Sequence, residues 1–311
     1  MKISGFTFLK NADKLYYPFK ESILSILNLV DEYIIVLGPG DEDDQTERIL
    51  ISLNSPKIRI IYSSWDTVNY PGGSIYAQQT DLAKSYCSGD WLLYLQGDEV
   101  IHEKDIPVIH EACVKYLNRI EVEGFVFDFI HFYGDYEHYF RNHTWYKKEI
   151  RIVRNTPEIH SWRDAQSFRW IPDFNGNDYF RVNGTRRLKC IPLKASVYHY
   201  GWVRPPQLMS TKNISASAHY SNPAHSLYST QFDYGRLDRA SAFTDHHPAV
   251  MKDKMNKLDW KDFLRFSGPV AINRPVMKHE KLKYRILSFI EEKIIGGYVL
   301  GGFKNYQLLD H

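Results

Sequence analysis

The sequence predicts an α/β protein: a mostly parallel sheet flanked by helices, followed by a smaller, mainly helical C-terminal lobe. Three observations carry this. Residues 33–37 (Tyr-Ile-Ile-Val-Leu) and 91–95 (Trp-Leu-Leu-Tyr-Leu) are apolar without alternation, which suits strands buried on both faces. Such runs alternate with segments of helical spacing, and a strand–helix–strand–helix–strand opening implies right-handed crossovers and parallel pairing. The first run leads into an acidic turn and the second into Asp98 and Glu99, and open α/β sheets place their ligands at the C-terminal ends of strands.

In chain order, residues 3–9 form a first strand and 10–13 a loop. Pro18 and Glu21 open a helix whose Ile23, Leu24, Ile26, Leu27 and Val30 share helical spacing. Residues 33–37 are the second strand, which runs into the acidic turn Gly38-Pro39-Gly40-Asp41-Glu42-Asp43-Asp44 and a helix over 47–53. Residues 58–62 are the third strand, 74–86 a helix and 91–95 the fourth strand. After Glu99 come a helix over 105–117, an aromatic strand over 124–133 and an alternating strand over 149–154. Residues 161–166 (Ser-Trp-Arg-Asp-Ala-Gln) read as a polar loop, and 188–193 and 195–199 as late strands.

Beyond Pro206 strand signals thin out, with turn clusters at Ser221-Asn222-Pro223 and His246-His247-Pro248. The division expected is therefore a main domain over 1–204, with halves at about 1–100 and 101–204, and a mainly helical region over 205–311. Residues 282–295 read as an amphipathic helix with Lys281, Lys283, Arg285 and Lys293 on or near its polar side. It either packs back on the main domain or rests on an anionic membrane surface.

Composition narrows the function. A chain of 311 residues with a net charge of +2 and no long basic run gives no reason to expect nucleic acid. Its 3 cysteines are odd in number and widely spaced, which argues for a reducing cytoplasm rather than a disulfide framework. Residues 1–10 lack the apolar core of a signal peptide, and no apolar run has the roughly 18 residues of a membrane span. The expectation is a cytoplasmic protein, at most peripheral at the inner face of the membrane. The 22 Tyr, 17 Phe and 7 Trp suit sugar faces as well as an ordinary core.

The residues that carry chemistry sit at strand ends. Asp98 follows the fourth strand, where it either holds a hard divalent cation bridging to phosphates or caps the next helix. His199 ends a late strand, and an aspartate oxygen, an imidazole nitrogen and two phosphate oxygens suit Mn2+ or Mg2+, the imidazole favouring manganese. The alternative for His199 is a hydrogen-bonded core histidine. Gly201 and Arg204 just beyond suit a closely approaching phosphate. His131, His138 and His143 lie among aromatics without ligand spacing.

At these positions the chain resembles the inverting family 2 glycosyltransferases of the GT-A (Rossmann-like) fold. The matching stretches are Asp31-Glu32-Tyr33-Ile34-Ile35-Val36 with its acidic turn, Gln79-Thr80-Asp81-Leu82-Ala83, Gly89-Asp90-Trp91 through Val100, and Tyr198-His199-Tyr200-Gly201-Trp202. The resemblance covers about residues 1–204 and is greatest to bacterial members of surface polysaccharide or lipopolysaccharide synthesis. It implies a nucleotide-sugar donor, a UDP-sugar favoured over a GDP-sugar, and a glycan or lipid-linked acceptor. The family's Asp-x-Asp motif falls on Gln96-Gly97-Asp98, so the final metal-contacting aspartate is kept while glutamine replaces the first. The resemblance places Thr7, Phe8, Gly38, an acid of the 41–44 turn (Asp43 by choice), Gln79, Gln96 and Gly97 around the donor, with Arg204 on its diphosphate. It implies a carboxylate general base between the metal strand and the late strands, which Asp164 fits, with Asp128 and Asp135 behind it and a salt bridge to Arg163 or Arg169 as its alternative role. Trp162 and Arg163 would then meet the acceptor. Asp81, where the family often has asparagine, is a departure. A non-catalytic nucleotide- or sugar-binding protein on the same fold competes with the enzyme reading. A nucleotidyltransferase comes last, for want of a basic loop after the first strand.

Overall fold

The computed structural model describes residues 1–220, 231–268, 274, 276–296, 300–301 and 304–310. The turn cluster Ser221-Asn222-Pro223 lies outside them. The opening elements are β1 (Ile3–Leu9), α1 (Phe19–Ile26), β2 (Glu32–Leu37), α2 (Thr46–Ser52), β3 (Ile58–Tyr62), α3 (Ser74–Ser85) and β4 (Trp91–Tyr94). They build a parallel block in the order β3-β2-β1-β4. The α/β class and the helix-flanked sheet expected from the sequence are what the structure has.

The missing alternation in β2 and β4 has a direct cause: both faces of the sheet are covered. Ile35, Leu37, Leu93 and Leu95 pack with Ile23 and Ile26 of α1 and with Ile109 and Cys113 of the helix that follows Asp105. Ile34, Val36, Leu92 and Tyr94 pack on the opposite face with Ala83 of α3, Ile159 and Phe168. Residues 91–95 are wholly buried, and each large apolar side chain so buried is worth about 1.5–3 kcal/mol.

The chain continues through β5 (Glu99–Ile101), α4 (Ile106–Lys115), β6 (Gly124–Tyr133), β7 (His138–Phe140), β8 (Lys148–Arg154), β9 (Ile159–Trp162), β10 (Ser167–Trp170) and β11 (Leu188–Trp202). β8 inserts antiparallel between β4 and β6, carrying the sheet past its parallel block. The two late strands expected are one, β11, whose register on β6 shifts between Pro192 and Ser196. β9 and β10 form a separate two-stranded hairpin, and residues 163–166 are its turn.

The C-terminal elements are α5 (Pro206–Tyr220), β12 (Ser241–Ala242), α6 (Lys252–Met255), α7 (Leu282–Phe289) and β13 (Tyr306–Leu308), with a π-helical turn over Ile290–Ile294 extending α7. β12 pairs with β7 and β13 with β11, so this region joins the sheet twice. Much of the aromatic load that suggested sugar faces is core here. Phe132, Tyr133, Tyr198 and Tyr200 bury against Met209, Phe232, Tyr234 and Trp260 and fix the C-terminal segment to the sheet.

Candidate active site

A cleft of about 560 Å³ opens over the C-terminal ends of β1 and β4. Leu9, Lys10 and Asn11 line it from the end of β1, and Gln96, Gly97 and Asp98 from the end of β4. Asp164 of the β9–β10 turn and His199 of β11 reach the same space, and α5 forms a further wall through Lys212, Ser215, Ala216, His219 and Tyr220.

Strand register brings the central pair together. β5 runs antiparallel to β11 with Glu99 opposite His199, and the Tyr200 amide donates to the Asp98 carbonyl at 2.8 Å. His199 Nε2 then lies 3.7 Å from Asp98 Oδ2. Gly201 makes the approach feasible, since a Cβ there would fall 2.5 Å from Asp98 Oδ2 and 2.7 Å from His199 Nε2. Asp98 is almost wholly buried. Burial pushes its carboxyl up, but the pull of His199 when that ring is protonated, with the charges of Lys212 and Arg204, outweighs this and holds it below the usual carboxylate range.

His131 sets the state of His199. Its Nε2 lies 2.8 Å from the Tyr146 carbonyl, which can only accept, so Nε2 carries the proton. Burial holds His131 neutral, lowering it well below the usual histidine value, with His199 adding to the effect. Its Nδ1 is therefore an acceptor, and His199 Nδ1, 3.0 Å away, is the donor to it. Burial likewise lowers His199, against the pull of Asp98, so its Nε2 is a bare lone pair facing Asp98. A ring nitrogen oriented by a partner behind it is the usual arrangement of a metal-binding histidine. Asp98 and His199 thus fit a divalent cation as two protein ligands, the Gly201 cradle keeping the space between them open. Among the described residues no group of three or more His, Cys, Asp or Glu is arranged to hold a metal, so substrate oxygens would complete the shell.

Gln96 has a different occupation. Its Nε2 donates to the Ala165 carbonyl at 3.2 Å, joining the end of β4 to the turn that bears Asp164. The neighbouring carbonyl of Gln166 accepts from Arg151 Nη1 at 2.9 Å, and Arg151 is locked by Nε and Nη2 onto Glu99 at 2.7 and 2.6 Å. Two side chains of Gln96-Gly97-Asp98-Glu99 therefore hold the β9–β10 turn, one directly and one through a buried ion pair. Arg163 (φ 60°) and Ala165 (φ 62°) flank Asp164 in the left-handed region, a strained shape that needs such support. Tyr220 Oη donates to Asp164 Oδ2 at 3.1 Å.

The remaining sequence candidates divide. Phe8 lines the cleft and stacks on Tyr76 (5.8 Å between centroids, 21°). Trp65 stands edge-on to both, and Lys10 lies 4.9 Å over it. Gly38 has Trp65 directly against it, and the buried Trp65 Nε1 has no hydrogen-bond partner among the described residues. Of the acidic turn, Asp41 reaches the cleft, whereas Asp43 points to solvent and pairs with Lys14 at 2.6 Å. Thr7 is buried within β1 and does not line the cleft. Gln79 is buried and fastens the loop after β3 through Ser63 Oγ and the Ser64 carbonyl. Asp81 accepts from the Ser161 amide at 2.7 Å and meets His160 Nδ1 at 2.9 Å, which explains a carboxylate there. Trp162 is buried with the guanidinium groups of Arg163 and Arg169 at 4.3 and 4.6 Å from its ring, away from the cleft. Arg204 is wholly buried and donates to the carbonyls of Leu15 and Gly201, so it acts on Asp98 as a charge beneath the cleft. His138 and His143 pair with Asp135 and Glu291, away from the cleft.

Sequence reading missed Lys212, Trp65, Tyr76 and Tyr220, and it named His131 among aromatics without its partner His199. Tyr76 falls on the predicted helix one turn before Thr80. Lys212 belongs to α5, beyond the stretch that carries the family resemblance.

No protein-family model matches the chain, and no curated protein sequence does. Among solved structures, S. aureus TarS aligns over 72% of this chain and 41% of its own, at 16% identity and a TM-score of 0.38. TarS 1–349 in complex with UDP-GlcNAc aligns over 72% of this chain and 69% of its own, at 16% identity and a TM-score of 0.36. Glucosyl-3-phosphoglycerate synthase from Mycobacterium tuberculosis, in complex with Mn2+ and UDP-Glc, aligns over 42% of this chain and 43% of its own, at 21% identity and a TM-score of 0.28. The chain therefore spans less than half the length of the first of these proteins.

Proposed function

We propose that the chain is an inverting glycosyltransferase that moves a sugar from a nucleotide-diphosphate donor, a UDP-sugar by preference, to a glycan or lipid-linked acceptor of bacterial surface polysaccharide synthesis. The observation that carries the reading is the meeting, in one cleft, of a buried Asp98–His199 pair and a turn-mounted carboxylate, Asp164. One end suits a diphosphate; the other suits an acceptor hydroxyl.

In this account Phe8, Tyr76 and Trp65 form an aromatic end for the nucleobase, with Gly38 leaving room for the Trp65 ring. Asp98 and His199 would hold Mn2+ or Mg2+, which when bound neutralises charge on the diphosphate. Asp164 accepts the proton of the acceptor hydroxyl as that oxygen attacks the anomeric carbon from the face opposite the leaving diphosphate. Tyr220 orients the carboxylate, and the Gln96 and Arg151 contacts to the Ala165 and Gln166 carbonyls keep its turn in place.

Among the described residues no helix is long and apolar enough to cross a membrane. The reading places the enzyme in the cytoplasm, peripheral to the membrane through α7. Leu282, Ile286 and Phe289 are 68%, 51% and 60% exposed on one stripe of that helix, with Lys283 and Arg285 exposed beside it. An apolar stripe with basic flanks suits an anionic lipid surface.

The test is to incubate the protein with UDP- and GDP-sugars without acceptor and follow release of the nucleotide diphosphate. Slow hydrolysis yielding a sugar of inverted anomeric configuration is expected. A protein that binds donors but never cleaves them is the binding module instead.

A further inference from the structure

Among the described residues two cations adjoin Asp98, Arg204 and Lys212, and of these Lys212 faces the cleft. Arg204 is sealed beneath: it is wholly buried, and its Nη1 and Nη2 donate to the carbonyls of Leu15 and Gly201. Lys212 comes from the opposite wall, on α5, with its Nζ 5.3 and 5.9 Å from the ring centroids of Tyr17 and Trp202. Its Nζ donates one hydrogen bond, to the Gly201 carbonyl at 2.7 Å. Asp98 Oδ2 lies 3.7 Å away, near enough for charge attraction but too far for a hydrogen bond. Burial, with Arg204 adding to it, lowers Lys212 to about 7 against the pull of Asp98, and an anionic phosphate beside it would favour the charged form. The protonated amine has three N–H groups, so donors remain for a ligand in the cleft that Lys212 lines.

We infer that Lys212 is a diphosphate-binding residue: its ammonium grips the phosphates of the nucleotide donor and lets them bind without a divalent cation. The inference rests on the donor reading above. The geometry carries it in two ways. The same Asp98 oxygen that would hold the metal already has a protein cation beside it, so a positive charge stands at this end of the cleft in either case. The acid that usually begins the motif is replaced by Gln96, whose amide is committed to Ala165, so the site has one carboxylate fewer with which to hold a metal. A single carboxylate shared by a tethered ammonium and a diffusible ion makes the ion an enhancer rather than a requirement. With Mn2+ on Asp98, like-charge repulsion drives Nζ from Oδ2 towards the phosphates.

The experiment is calorimetric titration of the full chain with UDP and with GDP, once in EDTA and once in Mn2+, for wild type, Lys212→Met and Lys212→Arg. Wild type is expected to bind one of them in EDTA. Lys212→Met should lose about 10- to 100-fold of that affinity, the worth of a hydrogen bond from a charged group. Lys212→Arg should keep most of it. Mn2+ should restore much of the Lys212→Met affinity, which also shows that the variant folds. Unchanged binding of Lys212→Met in EDTA overturns the inference, and so does a wild type that binds only with Mn2+, although that result leaves the donor reading standing. A wild type that binds neither nucleotide in either buffer overturns both.

Discussion

Asp98 gains its chemical character from what surrounds it. A buried carboxylate beside one lone-pair nitrogen and two cations stays ionised where burial alone would protonate it. Gly201→Ala tests the space around it: the added methyl would meet both Asp98 and His199, so the Mn2+ enhancement of nucleotide binding should fall at least about tenfold in titration calorimetry while the circular dichroism spectrum is kept. Asp164→Asn should leave donor affinity within a few-fold and lower turnover by about 10²- to 10⁴-fold in a transfer assay, the usual worth of a general base. Retained turnover would move the base elsewhere. Glu149 makes a stability prediction. Burial pushes its carboxyl up to about 7, against Arg151, Ser167 and the Ile150 amide. The unfolded chain releases this proton near 4.5 and the folded chain only near 7, so the protein loses stability as pH rises between those values, by roughly 3 kcal/mol at most. In chemical denaturation Glu149→Gln should remove that slope and be the more stable form at pH 8. At this scale the placing of Asp98, His199 and Asp164 in one cleft was legible because each stands at a strand end or in a polar turn. Lys212 was not: nothing local marks a helical lysine that is aimed at a residue 114 positions earlier in the chain (from 98 to 212).

The element that carries Asp164 to the cleft is the turn of the β9–β10 hairpin. The sequence shows a polar loop there, but the flanking strands are only four residues each, too short for their alternation to stand out. β5, β7, β12 and β13 were missed for the same reason, with three residues or fewer and pairing partners far along the chain. The long, fully buried strands were read correctly because burial on both faces removes polar residues from the sequence itself. Gln96 shows how an apparent defect in a motif becomes intelligible once the fold is known: it ties the end of β4 to the hairpin turn. Gln96→Ala should therefore lower kcat by about tenfold with little change in donor KM, because the turn loses a support while the donor contacts stay. A matching rise in KM with kcat unchanged would assign Gln96 to donor binding.

For the molecule as a whole, the parallel block supplies the cleft floor, β11 supplies His199, the separate β9–β10 hairpin supplies Asp164, and α5 forms a further wall. The C-terminal region looked separable in sequence because its strand signals are sparse, yet an aromatic cluster and two short strands bind it to the sheet. Its outward stripe on α7 leads to a prediction at this scale. The protein should co-sediment with vesicles rich in anionic lipid and not with neutral ones, and Phe289→Glu should weaken that binding without altering donor hydrolysis. The central claim is that the cleft takes a nucleotide diphosphate at Asp98. Its most direct test is a calorimetric titration of UDP and GDP into wild type and Asp98→Ala, each with and without Mn2+. The account predicts that Mn2+ raises the wild-type affinity about tenfold or more and leaves that of Asp98→Ala unchanged. An equal rise in both proteins would contradict it.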